Sequence, residues 1–300
     1  MTDRLDYLNT MGNNLAYCLA IEKLVGLDVP PRAQGIRVIM AELQRIASHL
    51  VWLGTHALDL GGMTVFLFAF RERETILDIM EMCSGQRMMT TYFRPGGLWR
   101  DVPAEWEETV RAFLKILPER VAQYERLLTK NPLFIDRTKN IGVISEEDAF
   151  RWGLSGPTLR GSGPAVDLRK LQPYSGYDQY DFEVPTHTDG DVYARYIVRM
   201  QEFHESRKII LQALDKLPKG PWQSDNRKFV PPPRAEIGVS MEALIHHFKL
   251  WTEGFLAPKE SVYMAVESPA GNSASTWKEM EVPTPTGCTG APPRLPTSSH

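Results

Sequence analysis

A stripe of apolar residues between positions 36 and 57 constrains the fold of this chain more than any other feature. Its members recur at alternating steps of three and four, the spacing that keeps side chains on one face of an α-helix. The stripe predicts a helix of roughly seven turns that ends at Gly61 and Gly62. The residues of the stripe are Ile36, Ile39, Leu43, Ile46, Leu50, Leu53 and Ala57.

Similar periodicity along the rest of the chain predicts a mostly α-helical bundle with minor β structure. Three prolines at residues 231–233 are typical of a stiff extended connector, and the four glycines and two prolines of residues 153–164 are typical of a loop. Residues 262–266 are predicted as a strand. The further helices are predicted over residues 3–25, from Thr64 to about Met89, from Pro103 through Leu128, and over residues 190–217 and 241–250.

Composition excludes several classes of protein. The 34 basic and 37 acidic side chains give a net charge of −3, so there is no basic excess for a phosphate backbone and no nucleic acid partner is expected. The longest apolar run, Met63–Phe70, is far shorter than the roughly 20 residues of a membrane-spanning helix. Three widely spaced cysteines, Cys18, Cys83 and Cys288, fit neither a disulfide scaffold nor a metal cluster held by this chain alone.

Nucleotide-binding motifs are not recognisable in the chain. The nearest approach to a dinucleotide fingerprint is Gly161-Ser162-Gly163, but Val166 stands where a third glycine is needed and no βαβ pattern surrounds it. No phosphate-binding loop or metalloprotease motif occurs either. The sequence therefore does not predict that this chain itself binds NAD or ATP.

A second line of residues on the predicted second helix has the same spacing as the apolar stripe. It consists of Ser48, Trp52, Thr55 and Asp59. A solvated face is the ordinary interpretation of such a line, but tryptophan usually packs against something. The helix is then either central in a bundle or lines a cavity. Thr55 and Asp59, one turn apart, would present a hydroxyl and a carboxylate together.

Histidines and loop arginines of the chain permit more than one role. His49 and His56 are seven positions apart and could share a helix face, but without neighbouring cysteines or clustered carboxylates we favour structural or hydrogen-bonding roles over metal binding. Arg94 precedes a Pro-Gly-Gly turn and Arg160 precedes Gly161. Each could place a guanidinium near an anion, although bonding to backbone carbonyls of the loop is the commoner role of such residues.

The last thirty residues differ in texture from the rest of the chain. Residues 271–300 hold five prolines and nine serines or threonines, and their only branched aliphatic residues are Val282 and Leu295. Such a segment cannot bury enough apolar surface to offset its ordering entropy. We therefore predict a helical domain over residues 1–270 and a disordered, non-native tail over residues 271–300.

Many short motifs of the chain are similar to those of one family. The sequence resembles the 49 kDa subunit of respiratory complex I, which in bacteria is the D subunit of NADH-quinone oxidoreductase, over about residues 3–270. This combination of motifs is highly specific. The main stretches are residues 3–7 (DRLDY), 20–24 (AIEKL), 31–33 (PRA), 48–50 (SHL), 55–59 (THALD), 70–74 (FRERE), 94–97 (RPGG), 159–163 (LRGSG), 167–170 (DLRK), 195–196 (RY), 246–249 (HHFK) and 266–269 (VESP).

The resemblance implies a quinone-reducing site, whether for ubiquinone or for menaquinone. It makes Tyr7 and Asp59 the catalytic residues: the Tyr7 phenol donates to a quinone carbonyl, and the Asp59 carboxylate pairs with a histidine on the family's amino-terminal hairpin, which falls outside this sequence. Thr55 lines the same pocket, where Tyr7 and Asp59 are expected to converge on the quinone ring. Arg94 lies near a [4Fe-4S] cluster that a neighbouring subunit holds. Met89 stands where many members have a histidine, which puts proton coupling at that position in doubt.

The resemblance also implies where the chain works and with which partners. These are the cluster-bearing B subunit, the C subunit and the membrane-arm H subunit of a proton-translocating complex, with this chain peripheral on the cytoplasmic side of the inner membrane. The family is related to the large subunit of nickel-iron hydrogenases and implies their type of helical bundle. Hydrogenases bind metal through paired cysteine motifs, and residues 4–9 contain no cysteine, so no metal is expected on this chain.

Two departures from the family pattern leave a second interpretation open. Family members continue after Pro269 with a strand and a Ser-Asp-Gly turn, with which residues 271–300 share nothing, and a shifted reading frame is our hypothesis for that difference. The other departure is that the family's amino-terminal hairpin, which carries the histidine, falls outside this sequence. A non-catalytic helical scaffold that binds the other subunits is therefore the alternative to a quinone-pocket subunit.

Overall fold

The computed structural model describes residues 2–255, 258, 260–278 and 288–291. Most of these residues are helical and the strands form two small antiparallel sheets, which confirms the predicted mostly α-helical class with minor β structure. The helices are α1 (Thr10–Val25), α2 (Pro31–Asp59), α3 (Met63–Ser84), α4 (Trp106–Leu128), α5 (Pro132–Thr138), α6 (Glu146–Arg151), α7 (Gly156–Arg160), α8 (Leu168–Leu171), α9 (Val192–Asp215), α10 (Arg234–Ile237) and α11 (Met241–Thr252). The strands are β1 (Phe93–Arg94), β2 (Gly97–Leu98), β3 (Ser261–Ser268), β4 (Gly271–Lys278) and β5 (Cys288–Ala291).

Helix α2 is the centre of the bundle, because α1, α3 and α9 all pack against it. Between residues 33 and 50 nearly every side chain of α2 is buried, so the apolar stripe and the faces beside it are covered. Of the two positions predicted for this helix, central in a bundle or beside a cavity, the structure shows the first over this stretch. The last two turns differ, because Thr55, Leu58 and Asp59 are exposed.

Two of the predicted helices are shorter in the structure. Helix α1 begins at Thr10 rather than at residue 3, because the Asp6 carboxylate accepts a hydrogen bond from the backbone N–H of Leu8 (3.0 Å) and holds that segment in a turn. Helix α3 ends at Ser84 rather than near residue 89. Gly85 follows in the left-handed conformation (φ 77°), which glycine adopts readily and which stops the helix.

The proline- and glycine-rich segments agree in part with their predictions. Pro233 has φ −55° and ψ 139°, the polyproline conformation expected for the connector at residues 231–233. The predicted loop at residues 153–164 contains the short helix α7, so the prediction is wrong for those five residues. Its proline, Pro157, stands at the start of the helix, where it is compatible with helical geometry.

The structure overturns part of the predicted disordered tail. Strand β4 pairs antiparallel with β3 along its full length, from Ser268 opposite Gly271 to Ser261 opposite Lys278, and β5 pairs with β4. Disorder is therefore the wrong prediction for residues 271–278 and 288–291, while residues 279–287 and 292–300 lie outside the described part. The small side chains of Ser273 and Ser275 are buried next to α1. Hydrogen bonds between the strand backbones stabilise β4, and a count of apolar residues does not detect them.

The hydrophobic core surrounds α2 and extends to α4 and α9. Its largest fully buried aromatic side chains include Trp106, Tyr124 and Tyr196. Within the part of the chain that the structure describes, no helix combines the length and the apolar character needed to cross a membrane.

Candidate functional site

One side of α2 carries a column of polar and aromatic residues next to the apolar stripe. Its members follow steps of three and four, so they share one face, and that face is turned towards α9. Two contacts define it: Glu42 accepts a hydrogen bond from Ser206 (2.7 Å), and Nε2 of His49 lies 2.5 Å from Oε2 of Glu202. We call this set the polar column; its members are Glu42, Arg45, His49, Trp52, His56 and Asp59.

The lower end of the polar column is a buried network of charges. Glu42 is paired with the guanidiniums of Arg45 (3.2 Å) and Arg169 (3.0 Å) and accepts a hydrogen bond from the Tyr177 hydroxyl (2.7 Å). Burial by itself would raise the pKa of Glu42, but the two arginines outweigh it and lower that pKa. The carboxylate therefore stays ionised inside the bundle.

The same network reaches β3 and the loop before α8. Arg160 forms ion pairs with Glu202 and with Glu267 (2.8 Å), and Asp167 pairs with Arg169 at 2.6 Å. Arg160 also donates to the carbonyl of Val166 (2.9 Å). This arginine therefore binds both a loop carbonyl and anions, the two roles that the sequence allowed, and the anions are carboxylates of the chain itself. Each carboxylate of the network faces a guanidinium, which is how buried charges are tolerated.

The upper end of α2 carries two of the predicted site residues. Thr55 and Asp59 lie one turn apart on the exposed side of the helix. The Thr55 hydroxyl donates to the carbonyl of Val51 (2.9 Å). The Asp59 carboxylate has no hydrogen bond or ion pair with any residue that the structure describes. The predicted pairing of a hydroxyl and a carboxylate on one face is therefore present, and their role stays a prediction.

Tyr7 lies at the other end of the predicted site. It precedes α1, and its side chain is 61% exposed, without a hydrogen-bond partner among the described residues. The carbonyl of Leu8 accepts a hydrogen bond from Gln44 (2.7 Å), which fixes the segment beside the middle of α2. Gln44 and Asp59 are fifteen positions apart, about 22 Å along the helix axis. No hydrogen bond joins Tyr7 and Asp59 in the described part of the chain, and their predicted convergence stays a prediction.

Met89 and Arg94 lie beside the part of α2 that is far from Asp59. Met89 is partly buried, and the neighbouring carbonyl of Met88 accepts from the hydroxyl of Thr10 (2.8 Å), which places Met89 at the level of Tyr7. The carbonyl of Arg94 accepts from Arg37 (2.8 Å), a residue about 10 Å before Gln44 along α2. The predicted residues thus follow α2 in the order Arg94, Met89 with Tyr7, then Thr55 and Asp59.

A rigid turn holds Arg94 at the surface. Gly97 has φ 150°, and a Cβ there would lie 2.3 Å from the carbonyl oxygen of Trp222, so only glycine fits. The N–H of Gly96 donates to Glu22 (2.8 Å), which is itself paired with the buried Arg37. The Arg94 side chain is exposed, makes no hydrogen bond or ion pair with a described residue, and borders a cavity of about 1120 Å³.

Metal-binding groups are not found in the region that the structure describes, where no three or more histidine, cysteine or acidic side chains converge. Cys18 and Cys83 are buried as free thiols. Burial raises the pKa of each to about 12, against the smaller opposing effect of nearby arginines, so neither is a ready thiolate ligand. These residues do not fit an iron–sulfur cluster on this part of the chain.

Some functional features could be read from the sequence and others were missed. The Thr55–Asp59 pair was found because both residues share one helix. The polar column was found only in part, as Trp52 and Asp59, although its spacing was available: it lies one position before the apolar stripe, from Glu42 to Asp59. Its partners Arg169 and Glu202 are more than a hundred positions away, and only the fold brings them to α2.

Comparison with known proteins agrees with the family resemblance of the sequence. A family profile described as the 49 Kd subunit of respiratory-chain NADH dehydrogenase matches residues 59–291, which continues past the predicted family boundary at residue 270. The second NADH-quinone oxidoreductase D subunit of Roseiflexus sp. (strain RS-1) is 59% identical over 278 residues, covering 92% of this chain and 67% of that protein. Its namesake in Chloroflexus aurantiacus is 56% identical over 274 residues (90% and 67%), and the D subunit of Geotalea uraniireducens is 55% identical over 271 residues (90% and 70%).

These relatives, of which this chain spans about two thirds, share its sequence far above the level at which a family can be assigned. The profile match covers most of the chain and includes Asp59. The chain belongs to the family of the 49 kDa subunit of the respiratory-chain NADH dehydrogenase.

Proposed function

We propose that this chain forms one wall of a quinone-reduction site and is catalytic only within an assembled, proton-translocating NADH-quinone oxidoreductase. The observation that carries the proposal is the carboxylate of Asp59, which has no hydrogen bond or ion pair with a described residue, whereas Glu42, the buried carboxylate of the same column, is paired with two arginines. An ionised side chain left without a partner in one subunit is available to a partner from outside it. Thr55, one turn earlier, adds a hydroxyl to the same exposed face.

Tyr7 supplies the second polar group of the proposed site. Phenols ionise only near pH 10 in water, so a tyrosine donates a hydrogen bond while neutral at working pH. The exposed hydroxyl of Tyr7 has no partner among the described residues and can reach a quinone carbonyl that approaches from outside. Hydrogen bonds to a carbonyl oxygen stabilise the negative charge that develops there during reduction.

Tyr7 precedes α1, in a segment fixed beside the middle of α2, whereas Asp59 ends α2, and these positions fit different tasks for the two residues. Tyr7 contacts the quinone, while Asp59 acts through the hairpin histidine, whose charge and orientation it sets. The histidine and the quinone ring then occupy the space between the two residues. On this proposal Asp59 pairs with the imidazolium form of that histidine, which releases a proton to the reduced quinone.

Electrons enter from the Arg94 end of the molecule in this proposal. A [4Fe-4S] cluster on the neighbouring B subunit supplies them, and the exposed Arg94 guanidinium favours the more negative reduced state of a nearby cluster. Met89, at the level of Tyr7, cannot accept a proton, so proton uptake at that position is not part of the proposal. The C and H subunits complete the surroundings, with the chain peripheral on the cytoplasmic side of the inner membrane.

Replacement of one hydroxyl group tests the proposal in the assembled complex. Tyr7→Phe should lower kcat/KM for quinone about tenfold to hundredfold, the effect expected of a hydrogen bond that strengthens as charge develops. Tyr263→Phe is a matched control, because Tyr263 is 62% exposed and Tyr7 is 61% exposed. Equal affinity for a quinone analogue and equal turnover in wild type and Tyr7→Phe would remove Tyr7 from the mechanism.

The non-catalytic scaffold is the second candidate, and the exposed face of α11 favours it. Met241, Phe248 and Trp251 are 75%, 64% and 72% exposed, and such apolar side chains are typical of a surface that another protein covers. In a pure scaffold, Tyr7→Phe and Asp59→Asn would leave turnover unchanged. Substitutions on α11 would then reduce the amount of assembled complex without changing activity per complex.

A further inference from the structure

His56 is a half-buried titratable residue next to the proposed site for which no role has yet been given. It follows Thr55 directly and precedes Asp59 by three positions, so its side chain lies on the polar column beside that carboxylate. The imidazole stacks on Trp52, with ring centroids 5.2 Å apart and planes at 16°, and meets the edge of Phe134 at 6.1 Å. These contacts hold the ring in one place.

The two histidines of the polar column differ in hydrogen bonding. Nε2 of His49 is bonded to Glu202, which is one of the roles that its sequence context favoured. Nε2 of His56 is buried and has no hydrogen-bond partner within the described residues, so a hydrogen-bonding role at this atom is not what the structure shows. A buried polar atom without a partner costs stability and therefore calls for an explanation.

Charged groups face His56 from two of the three elements around it. Helix α9 contributes Arg199 and Arg195, α2 contributes Asp59, and α5 contributes the uncharged ring of Phe134. Burial lowers the pKa of His56, Arg199 and Arg195 lower it further, and Asp59 partly offsets them. The imidazole is therefore neutral near neutral pH and gains a proton only in acid.

We propose that His56 is a positioning residue for Asp59 that works as a proton-dependent counter-charge. While His56 is neutral, the Asp59 carboxylate is free for the hairpin histidine of the quinone site. When the imidazole takes a proton from solvent, it becomes a cation one turn from Asp59 and competes for the same carboxylate. This inference rests on the proposed function and adds an acid-sensitive control to it.

Dependence of quinone reduction on pH in the assembled complex provides the test. Activity is measured between about pH 8 and about pH 5, where histidine side chains change charge. The wild type should lose activity at the acid end, and His56→Gln should retain about threefold to tenfold more of its own pH 8 activity there. His204→Gln, an exposed position on α9, should follow the wild type. His56→Phe keeps a ring against Trp52 and should behave like His56→Gln, which guards against a folding defect of the glutamine variant.

Different outcomes separate this inference from the proposed function. If Asp59→Asn abolishes most activity but the acid limbs of wild type and both His56 variants coincide, the role of His56 is wrong and the quinone site stands. If Asp59→Asn retains full activity, the proposed function fails at Asp59, and the His56 role fails with it. A loss of activity in the His56 variants that is uniform at every pH would show a purely structural residue and would also overturn the inference.

Discussion

The two ends of the polar column use the same helix for different purposes. At the lower end, Glu42 is buried and paired with Arg45 and Arg169. At the upper end, Asp59 is exposed and has no partner among the described residues. Both carboxylates sit at equivalent positions of one periodic pattern, so local sequence does not distinguish them. The difference teaches that a carboxylate whose partners lie within the chain supports the fold, whereas one without such partners is available for chemistry.

The largest effect is expected at the lower end. Glu42→Gln leaves Arg45 and Arg169 buried without their shared carboxylate and should lower the free energy of unfolding by about 3–5 kcal/mol. Urea titration of the purified complex, followed by a signal from this chain, measures it. Glu74→Gln is the control, because Glu74 pairs with Arg87 at the surface and should change stability by less than about 1 kcal/mol. Equal effects of the two substitutions would break the comparison.

Sequence periodicity predicted the six longest helices that the structure describes but not the five shorter ones, the helix ends or the buried charges. The apolar stripe of α2 is a local signal, and the helix forms where the stripe predicts it. The start of α1 depends on one side-chain contact of Asp6, and the end of α3 depends on Gly85, which periodicity does not weigh. Strand β4 depends on its pairing with β3, a tertiary feature that a count of apolar residues cannot show.

The sequence predicted the relative positions of site residues only where they lie on the same helix. Thr55 and Asp59 could be paired because a helix fixes the relative position of residues four apart. The role of Tyr7 came from family resemblance, and its position beside α2 depends on the bond from Gln44 to Leu8. His49 and His56 were equivalent in the sequence, and only the structure shows that Glu202 binds His49, while Nε2 of His56 has no hydrogen-bond partner among the described residues.

The upper end of the column should respond in activity rather than in stability. Asp59→Asn removes the charge proposed to pair with the hairpin histidine and should lower quinone reductase activity of the complex about tenfold to hundredfold. The free energy of unfolding should change by less than about 0.5 kcal/mol, because the side chain is exposed and unpaired. Parallel measurement of both quantities checks it. A loss of stability as large as that of Glu42→Gln would mean that the carboxylates at the two ends of the polar column contribute equally to the stability of the fold.

The buried network of paired charges should also make the free energy of unfolding sensitive to acid. Burial alone would raise the pKa of Asp167, but Arg169 and Arg160 lower it from 3.8 to about 2. The native state therefore binds fewer protons than the unfolded state between these values, so the ion pair contributes about 2 kcal/mol above about pH 4 and loses it as the pH falls towards 2.

Asp167→Asn isolates that contribution. The variant should be less stable near pH 5, and its unfolding free energy should fall less steeply than that of the wild type between about pH 4.5 and about pH 3. Denaturant titrations at a series of pH values measure both slopes. Parallel slopes would mean that Asp167 does not contribute to the acid sensitivity of the buried network.

The smallest effect is expected at Thr55, which is exposed like Asp59 but has a hydrogen-bond partner within the chain, like Glu42. Its hydroxyl already donates to Val51, so the oxygen has an internal partner yet faces the proposed pocket. Thr55→Val keeps the shape and removes the hydroxyl, and the KM for quinone should rise about twofold to fivefold with little change in kcat, as expected for one weak polar contact. Thr55→Ser, which keeps the hydroxyl, should restore the wild-type KM. If Thr55→Val keeps the wild-type KM and Thr55→Ser raises it, the methyl group rather than the hydroxyl is what Thr55 contributes, and the polar character of the upper end rests on Asp59 alone.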